Sequence, residues 1–291
     1  MKPPVFEYAA PRTVAEAARL LGAHDGEAKV LAGGQSLMPL LAMRLSRPTL
    51  LVDLGRIEGL EYVRDEGGEI AIGAMTTKTA VLRSPIVASR APLFAEATRL
   101  IGHPQIRNRG TVGGSMAHAD PAAEYPAAAL VLGARMRAAS EAGERTIDAA
   151  DFFVMALTTA LSPGEILTEV RVPAQAPRSG WSILEVSRRH GDFAMAGAAV
   201  TLSLAAEKIA SPRIVLFGIG TAPVRAHTAE EAIDGQRPGA TALRAAAERA
   251  RAAAGEPLAD LHASAEYRRH LAGVLVERAL AQAVARAGGT S

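Results

Sequence analysis

The chain has no cysteine among its 291 residues. This absence excludes disulfide bonds, a cysteine nucleophile and a cysteine-ligated iron–sulfur cluster within the chain. A bias toward one sign of charge is also missing, because 32 lysines and arginines stand against 30 acidic residues and the net charge is +2. So small an excess gives no support for binding to nucleic acid or to an anionic membrane surface.

Long hydrophobic segments are absent as well. Residues 1–8 contain no apolar run of the kind found in a signal peptide. No stretch of the sequence is apolar for long enough to span a bilayer. We therefore expect a cytoplasmic protein with no membrane span.

Several common functional motifs are lacking. Gly218-Ile-Gly220 begins a Gly-x-Gly-x-x-Gly motif, but Pro223 stands where the third glycine belongs, so a Rossmann domain is not supported. No Gly-Lys pair exists, which excludes a Walker A loop, and neither Ser36 nor Ser115 lies in a Gly-x-Ser-x-Gly nucleophile elbow. The histidines are scattered, and no third ligand accompanies His118 and Asp120, so no metal site is predicted.

Two glycine pairs are the most informative features that are present. Lys29-Val-Leu-Ala-Gly-Gly-Gln-Ser36 and Thr111-Val-Gly-Gly-Ser115 are short apolar runs that end in Gly-Gly and a small hydroxyl residue. Each run predicts a buried strand that turns sharply, with glycine allowing positive φ and close approach of the backbone to a ligand. A helix over Leu37–Arg44 would add free N–H groups beside the first loop. One such loop is usually only a tight turn, but two in the same order favour a ligand with a pyrophosphate.

The pattern of elements indicates an α/β unit followed by further α+β structure. Thr13 and Glu16 predict a capping box, and 28–32 and 49–53 read as buried strands. The other predicted elements, in chain order, are a hairpin over 61–73, helices over 79–83, 91–101 and 124–132, a hairpin over 135–147, a strand over 166–172, a linker over 173–180, a meander of three strands over 181–188, 194–205 and 213–218, and helices over 241–254 and 264–287.

At these residues the chain resembles the FAD-binding medium subunit of the molybdenum hydroxylases, the family of carbon monoxide dehydrogenase and xanthine dehydrogenase. The resemblance covers nearly the whole chain, and its motifs are residues 32–36, 111–124, 187–193 and 218–226. It implies an α+β fold with an N-terminal, two-lobed PCMH-type FAD-binding domain. A C-terminal domain of a three-stranded antiparallel sheet with a helical bundle would follow. The implied domains are 1–175, with lobes of about 1–57 and 58–175, and 176–291.

The resemblance also implies which residues contact FAD, and it implies no catalytic residue. The two glycine loops would hold the pyrophosphate from opposite sides, and Glu124 would bind ribityl or ribose hydroxyls. Lys29 and Leu31 would lie near the adenine, and Arg188 near the flavin ring or an electron acceptor. The full implied set is Lys29, Leu31, Ala32, Gly33, Gly34, Gln35, Ser36, Leu37, Ile101, Thr111, Gly113, Gly114, Ser115, His118, Asp120, Glu124, Leu161, Arg188 and Phe193.

Some of these residues have ordinary structural explanations too. Glu124 is also a typical acid in the first turn of a helix, and the two interpretations are compatible. Ile101 and Leu161 fit plain core positions better than cofactor contacts on sequence grounds. Arg188 equally suits the solvated end of a strand.

Departures from the family pattern carry further expectations. Phe193 stands where carbon monoxide dehydrogenase-like members often place a tyrosine, so the stacking surface remains but the hydroxyl is lost. Ser115 and Glu124 favour that branch over the xanthine dehydrogenase branch, where Asn and Asp are usual. Gln35 replaces a histidine that often bonds covalently to the flavin in stand-alone oxidases of the wider fold. We therefore predict non-covalent FAD.

Two hypotheses for function follow. In the first, the chain is an electron-transfer subunit that receives electrons from [2Fe-2S] clusters of a small partner subunit and passes them to an external acceptor. A molybdenum-binding large subunit would hold the molybdenum cofactor, and the resemblance implies a dimer of heterotrimers. In the second, the chain is a stand-alone flavin-dependent oxidoreductase of the same superfamily. The segment after Pro173 favours the first hypothesis, because it resembles the C-terminal domain of the medium subunits and shows no basic substrate-gripping cap.

Overall fold

A computed structural model describes residues 2–176 and 178–288. The strands are β1 (Glu7–Ala9), β2 (Ala28–Leu31), β3 (Leu50–Asp53), β4 (Val63–Asp65), β5 (Glu69–Gly73), β6 (Arg135–Ser140), β7 (Gly143–Asp148), β8 (Phe153–Met155), β9 (Thr158–Thr159), β10 (Ile166–Pro173), β11 (Ser179–Val186), β12 (Ala196–Ala205), β13 (Lys208–Phe217) and β14 (Val224–Arg225). The α-helices are α1 (Val14–Gly22), α2 (Leu37–Ala42), α3 (Lys78–Arg83), α4 (Pro85–Arg90), α5 (Pro92–Leu100), α6 (Pro104–Arg107), α7 (Val112–His118), α8 (Glu124–Leu132), α9 (Ala149–Phe152), α10 (His227–Ile233), α11 (Ala240–Ala253) and α12 (Ala265–Gly288).

The first unit is a small parallel sheet in the order β1-β3-β2, with α1 packed on it. Thr13 caps α1 by accepting a hydrogen bond from the Glu16 N–H at 3.1 Å. The Glu16 carboxylate accepts from the Arg12 N–H rather than from the Thr13 N–H. Half of the predicted capping box is therefore confirmed, and the reciprocal bond is displaced by one residue.

The second unit is a five-stranded antiparallel sheet in the order β4-β5-β10-β6-β7. Both predicted hairpins are confirmed, and α8 begins and ends where the sequence predicts. The helix expected over 91–101 is confirmed as α5, which begins at Pro92, but helix α4, which begins at Pro85, was not predicted. Phe94 stacks on Tyr125 in the core with ring centroids 4.5 Å apart.

The third unit is the antiparallel sheet β11-β12-β13-β14. The predicted meander of three strands is confirmed, and the two-residue strand β14 extends it to four. Helices α10, α11 and α12 pack together, and α12 lies along β11 and β12. Gly180 permits that approach, because a Cβ there would collide with the Ala283 carbonyl oxygen of α12.

The third unit packs tightly on the second. Ile183 of β11 is buried in the same core as Phe94, while the neighbouring Ser182 turns to α12 and donates a hydrogen bond to Gln282. The Gly218 N–H donates to the Pro121 carbonyl oxygen at 2.9 Å. The face of β11 that carries Ile183 is therefore directed at the core of the second unit, and the face that carries Ser182 is directed at α12.

Across residues 2–176 and 178–288, no helix combines the length and the hydrophobicity required to cross a membrane.

Candidate cofactor site

The first glycine loop connects β2 to α2. Gly34 has φ +71°, so the positive φ expected of this pair is confirmed at its second glycine. The Gln35 side chain folds back and donates to the Gly33 carbonyl oxygen at 3.0 Å. Within the described part of the chain, the N–H groups of Gly34, Gln35 and Ser36 donate to no protein acceptor. Three successive unpaired donors at the end of a strand are suited to an anionic ligand.

The second glycine pair has a different structure from the one expected. The predicted strand and sharp turn are wrong, because Gly113 and Gly114 lie in the first turns of α7 and neither has positive φ. The N–H of Gly113 donates to the Ala74 carbonyl oxygen at 2.8 Å, and that of Gly114 donates to Thr111 Oγ1 at 3.1 Å. Ser115 N–H donates to the Thr111 carbonyl oxygen. This pair therefore supplies room for close approach, whereas the first loop supplies the free donors.

The two glycine loops lie against each other. A Cβ built on Gly114 would be 3.4 Å from Ala32 Cβ, and one on Gly33 would be 2.8 Å from Gly110 Cα. A Cβ on Gly113 would be 2.8 Å from the Ala74 carbonyl oxygen. A side chain at Gly33 or Gly113 would push two backbone segments apart, so these glycines permit the close approach of the segments.

A buried acid and a buried base lie beside the loops. Glu124 begins α8 and is 7% exposed, and burial raises the pKa of its carboxyl group to about 7. Lys78 begins α3 and is 5% exposed, and burial lowers the pKa of its ammonium group to about 8. Their mutual attraction opposes both shifts but is weaker than the desolvation.

His118 is the last residue of α7, and Asp120 lies in the turn between α7 and α8. Burial lowers the pKa of the His118 imidazole, and the Asp120 charge opposes that shift. Asp120 Oδ1 accepts the N–H of Ala122 at 2.9 Å, so its carboxylate fixes the turn. Among residues 2–176 and 178–288, no three His, Cys, Asp or Glu side chains are grouped so as to hold a metal ion.

A second carboxyl group, on the half-buried Glu185, approaches from β11. Burial, reinforced by the charge of Glu124, raises the pKa of Glu185 to about 8. Its Oε2 is buried and finds no hydrogen-bond partner within the described chain. Sequence reasoning missed both Lys78 and Glu185. The alternation of β11 would place Glu185 on the face of Ile183, but nothing in the sequence shows which elements cover that face.

Phe193 and Arg188 lie in the loop between β11 and β12. Phe193 is 67% exposed, and Arg188 Nη1 lies 3.5 Å from His262 Nδ1. The same loop contacts the end of α5, because a Cβ on Gly191 would be 2.9 Å from the Gly102 carbonyl oxygen. The structure thus brings this loop to the segment that carries Ile101.

Arg107 fixes that segment. Its Nη1 donates to the carbonyl oxygens of Ile101 at 2.9 Å and Gly102 at 2.8 Å. Ile101 packs on the core of the second unit, as its ordinary explanation predicts. Arg107 was not among the residues predicted from the sequence. Its two hydrogen bonds to backbone carbonyl groups depend on the folded path of the chain between Ile101 and Arg107.

The remaining predicted residues are spread more widely. The Leu31 side chain lies within 3.4 Å of a Cβ position on Gly34, while Lys29, two residues earlier on β2, is exposed. Leu161 follows β9 and packs on the core of the second unit. Leu157, in the β8–β9 turn, donates its N–H to the Ala119 carbonyl oxygen at the end of α7. Leu161 therefore lies on a hairpin that is tied to the second glycine pair.

The residues present fit a phosphate-bearing cofactor. Free N–H donors, a buried ammonium and buried carboxyl groups provide partners for phosphate oxygens and sugar hydroxyls. The fold and this site define a cofactor-binding α+β protein in which the second and third units enclose one edge of the site.

Comparison with known proteins agrees. Residues 4–175 match the family described as FAD binding domain in molybdopterin dehydrogenase, and residues 181–283 match the CO dehydrogenase flavoprotein C-terminal domain. The chain is 41% identical to the carbon monoxide dehydrogenase medium chain of Hydrogenophaga pseudoflava, covering 98% of this chain and 99% of that one. It is also 41% identical to the nicotine 6-hydroxylase medium subunit of Paenarthrobacter nicotinovorans, covering 98% and 100%.

A solved structure shows the same likeness. Carbon monoxide dehydrogenase from Hydrogenophaga pseudoflava, in a form that lacks the Mo-pyranopterin moiety of the molybdenum cofactor, contains a chain that superposes with a TM-score of 0.96. The identity is 42%, covering 98% of this chain and 99% of that one. The chain therefore belongs to the molybdenum hydroxylase family as an FAD-binding medium subunit, and it is an oxidoreductase subunit.

Proposed function

We propose that this chain is the electron-transfer subunit of a heterotrimeric molybdenum hydroxylase. It would take electrons from the iron–sulfur clusters of a small partner subunit and pass them to an external acceptor. FAD, when bound, supplies the redox chemistry, since a flavin accepts and donates electrons singly or in pairs. The observation that carries the proposal is the first glycine loop, with its three unpaired N–H groups in a cysteine-free chain.

The relatives support placing the choice of substrate on another chain. The named relatives act in complexes for carbon monoxide and for nicotine, yet this chain is 41% identical to both over almost its full length. A subunit that selected the substrate would be expected to resemble one more than the other. We therefore propose that the molybdenum-binding large subunit selects the substrate.

The two glycine segments and the start of α8 would hold the pyrophosphate and the sugar of FAD. Gly34, Gln35 and Ser36 donate their free N–H groups to the pyrophosphate, and Ala32, Gly33 and Leu37 shape the same loop. Thr111, Gly113, Gly114 and Ser115 let the pyrophosphate approach from the other side. Glu124 binds sugar hydroxyls, with His118 at the end of α7 and Asp120 in the turn before α8.

The two ends of the cofactor are assigned to different elements. Lys29 and Leu31 would lie on the adenine side, because they share one face of β2 ahead of the loop. Ile101, Leu161, Arg188 and Phe193 would lie on the flavin side. The contact of Gly191 with Gly102 supports this assignment, because it brings the loop of Phe193 to the Ile101 segment. We likewise propose domains of 1–175 and 176–291, joined between β10 and β11.

The exposed Phe193 ring indicates where an electron donor would dock. Other large apolar side chains are exposed on the β8–β9 hairpin at Val154, Met155 and Leu157. Stable interfaces have an apolar centre, so we propose that an iron–sulfur subunit docks near Phe193 and that the complex forms a dimer of heterotrimers.

The test is co-expression of the chain with the subunits of neighbouring reading frames, followed by gel filtration and addition of carbon monoxide or nicotine, the substrates that the relatives' names indicate. We expect a stable complex. We also expect the flavin of the isolated chain to remain oxidised with each compound and to bleach only within the complex. Bleaching in the isolated chain would contradict the proposal and favour a stand-alone flavin-dependent oxidoreductase.

A further inference from the structure

Lys78 is held where the two glycine segments meet. Its backbone N–H donates to the Gly110 carbonyl oxygen at 2.9 Å, and the preceding Thr77 forms a β-bridge with Thr111. A Cβ on Gly110 would lie 2.9 Å from Lys78 Nζ and 3.6 Å from Gln35 Cγ. The ammonium group therefore lies close to the loop whose N–H groups are free.

Within the described chain, neither a hydrogen bond nor a salt bridge holds this ammonium group. Across the described residues, Lys78 Nζ has no hydrogen-bond acceptor and no carboxylate within 4.0 Å. It does make a cation–π contact with Tyr125, whose ring centroid is 5.8 Å away. Glu124 attracts the charge from beyond salt-bridge distance, and Lys78 is 5% exposed. Burying a charged group without a hydrogen bond or salt bridge is unfavourable, so a negatively charged ligand at this position would stabilise the lysine.

The donors around Lys78 define the chemistry of that ligand. The free N–H groups of Gly34, Gln35 and Ser36 are suited to a ligand that carries several hydrogen-bond acceptors. A phosphate combines several acceptor oxygens with a negative charge, and a lysine meets it as a compact point charge. Neutral donors on one side and one cation on the other match a pyrophosphate better than a carboxylate or a neutral sugar.

We propose that Lys78 is the cationic contact of the FAD pyrophosphate. This inference rests on the proposed function, because it assumes that the first glycine loop holds that group. Lys78 then supplies the charge that the backbone donors lack. Its burial strengthens the ion pair with the ligand, since a buried pair is screened little by salt.

The first experiment compares ADP with adenosine on the full-length chain freed of flavin. ADP carries the pyrophosphate of FAD and adenosine does not. We expect Lys78→Met to weaken ADP binding by about 10- to 100-fold, the usual range for a hydrogen bond to a charged group, and to leave adenosine binding unchanged. Lys78→Arg should restore much of the loss. The matched control is Lys208→Met, an exposed lysine on β13.

A stability measurement separates this role from a structural one. If Lys78 serves the ligand, the flavin-free Lys78→Met chain should be at least as stable to urea at pH 7 as the parent, because an unpaired buried charge is removed. If Lys78 serves only to balance Glu124, the variant should be less stable and should lose ADP and adenosine binding alike. That second result would overturn the proposal.

The dependence of FAD binding on pH gives a readout that does not require the methionine variant to fold. Burial holds the pKa of Lys78 at about 8 in the chain, and an anionic ligand would raise it. FAD affinity of the parent should therefore fall as the pH rises from 8 to 10, whereas Lys78→Arg should show a flatter profile.

Both chains share the titration of the other nearby groups, so comparing their profiles isolates that of Lys78. Glu124, His118 and Tyr125 act on Lys78 directly, and Asp120 and Glu185 act on Glu124. Parallel profiles for the two chains would overturn the proposal. A parent chain that binds no FAD at any pH would instead contradict the proposed function, so the two failures are distinguishable.

Discussion

Gly33 lies directly beneath the backbone of Arg109, so that a Cβ on Gly33 would collide with the Arg109 carbonyl oxygen. This approach locks the first glycine loop to the segment leading into the second. Gly33→Ala should weaken FAD retention and lower the free energy of unfolding by about 1–3 kcal/mol, the usual range for an overpacked site. The flavin-to-protein absorbance ratio and urea unfolding measure the two effects.

The matched control for that variant is Gly68→Ala. Gly68 has no atom within 4 Å of its Cβ position and no positive φ. The Gly68→Ala chain should therefore retain its flavin and its free energy of unfolding. Full flavin content in Gly33→Ala would show that the loop tolerates displacement and does not contact the cofactor closely.

Gly34→Val tests the conformation of the same loop. Gly34 has φ +71°, which is strained for a β-branched residue by about 1–2 kcal/mol, and its Cβ would lie 3.2 Å from Met38 Cγ. We expect FAD to be lost from a folded chain. Gly26→Val is the control, since Gly26 has φ +84° and no neighbour within 4 Å. If both variants lose flavin equally, backbone strain alone accounts for the effect.

Gly114→Val is a less selective change than the sequence suggests. Gly114 needs no positive φ, but a Cβ there would lie 2.7 Å from Thr111 Oγ1, the cap of α7. We expect this variant to lose FAD together with about 1 kcal/mol of stability from the damaged cap. Thr111→Ala should reproduce the stability loss alone, as measured by urea unfolding.

The attachment of FAD can be tested by acid precipitation. Gln35 stands at the loop position considered for a covalent histidine link, and the chain has no cysteine. All yellow colour should therefore appear in the supernatant. Flavin that remains in the pellet after washing would contradict non-covalent binding.

Glu124 should make stability depend on pH. Burial raises its folded pKa from 4.5 to about 7, so the folded chain binds the proton more tightly than the unfolded chain. The resulting stabilisation is complete below pH 4.5 and is lost as the pH rises through 7, by at most on the order of 3 kcal/mol. Flavin-free Glu124→Gln should therefore match the parent at pH 5 and exceed it at pH 8 in urea unfolding. An equal difference at both pH values would contradict this linkage.

Arg107 should act by positioning the Ile101 segment. Arg107→Ala removes two hydrogen bonds to the carbonyl oxygens of Ile101 and Gly102, and we expect a loss of about 1–3 kcal/mol. Visible circular dichroism of the bound flavin should also change if Ile101 contacts the ring. Arg99→Ala, an exposed arginine at the end of α5, is the control. An unchanged flavin spectrum would confine Arg107 to a structural role.

The sequence alone determined the local structure and the family. Alanine content indicated α8, glycine turn signals at 65–68 and at Gly143 indicated the two hairpins, and apolar runs indicated the meander, because these elements follow from residues close together in the sequence. Gly34 with its positive φ was predictable, since a glycine after a buried strand marks a sharp turn. The motifs at 32–36 and 111–124 also indicated the FAD-binding family, which the comparisons confirmed.

Only the tertiary structure decided what surrounds those motifs. The pair at Gly113 became the start of α7, because the N–H of Gly113 and that of Val112 found acceptors on the distant residues Ala74 and Thr76. Lys78 and Glu185 gave no local signal, since burial depends on which segments pack over a residue and not on its neighbours in sequence. Periodicity sets the face that a side chain occupies, whereas long-range packing sets its solvation and therefore its charge.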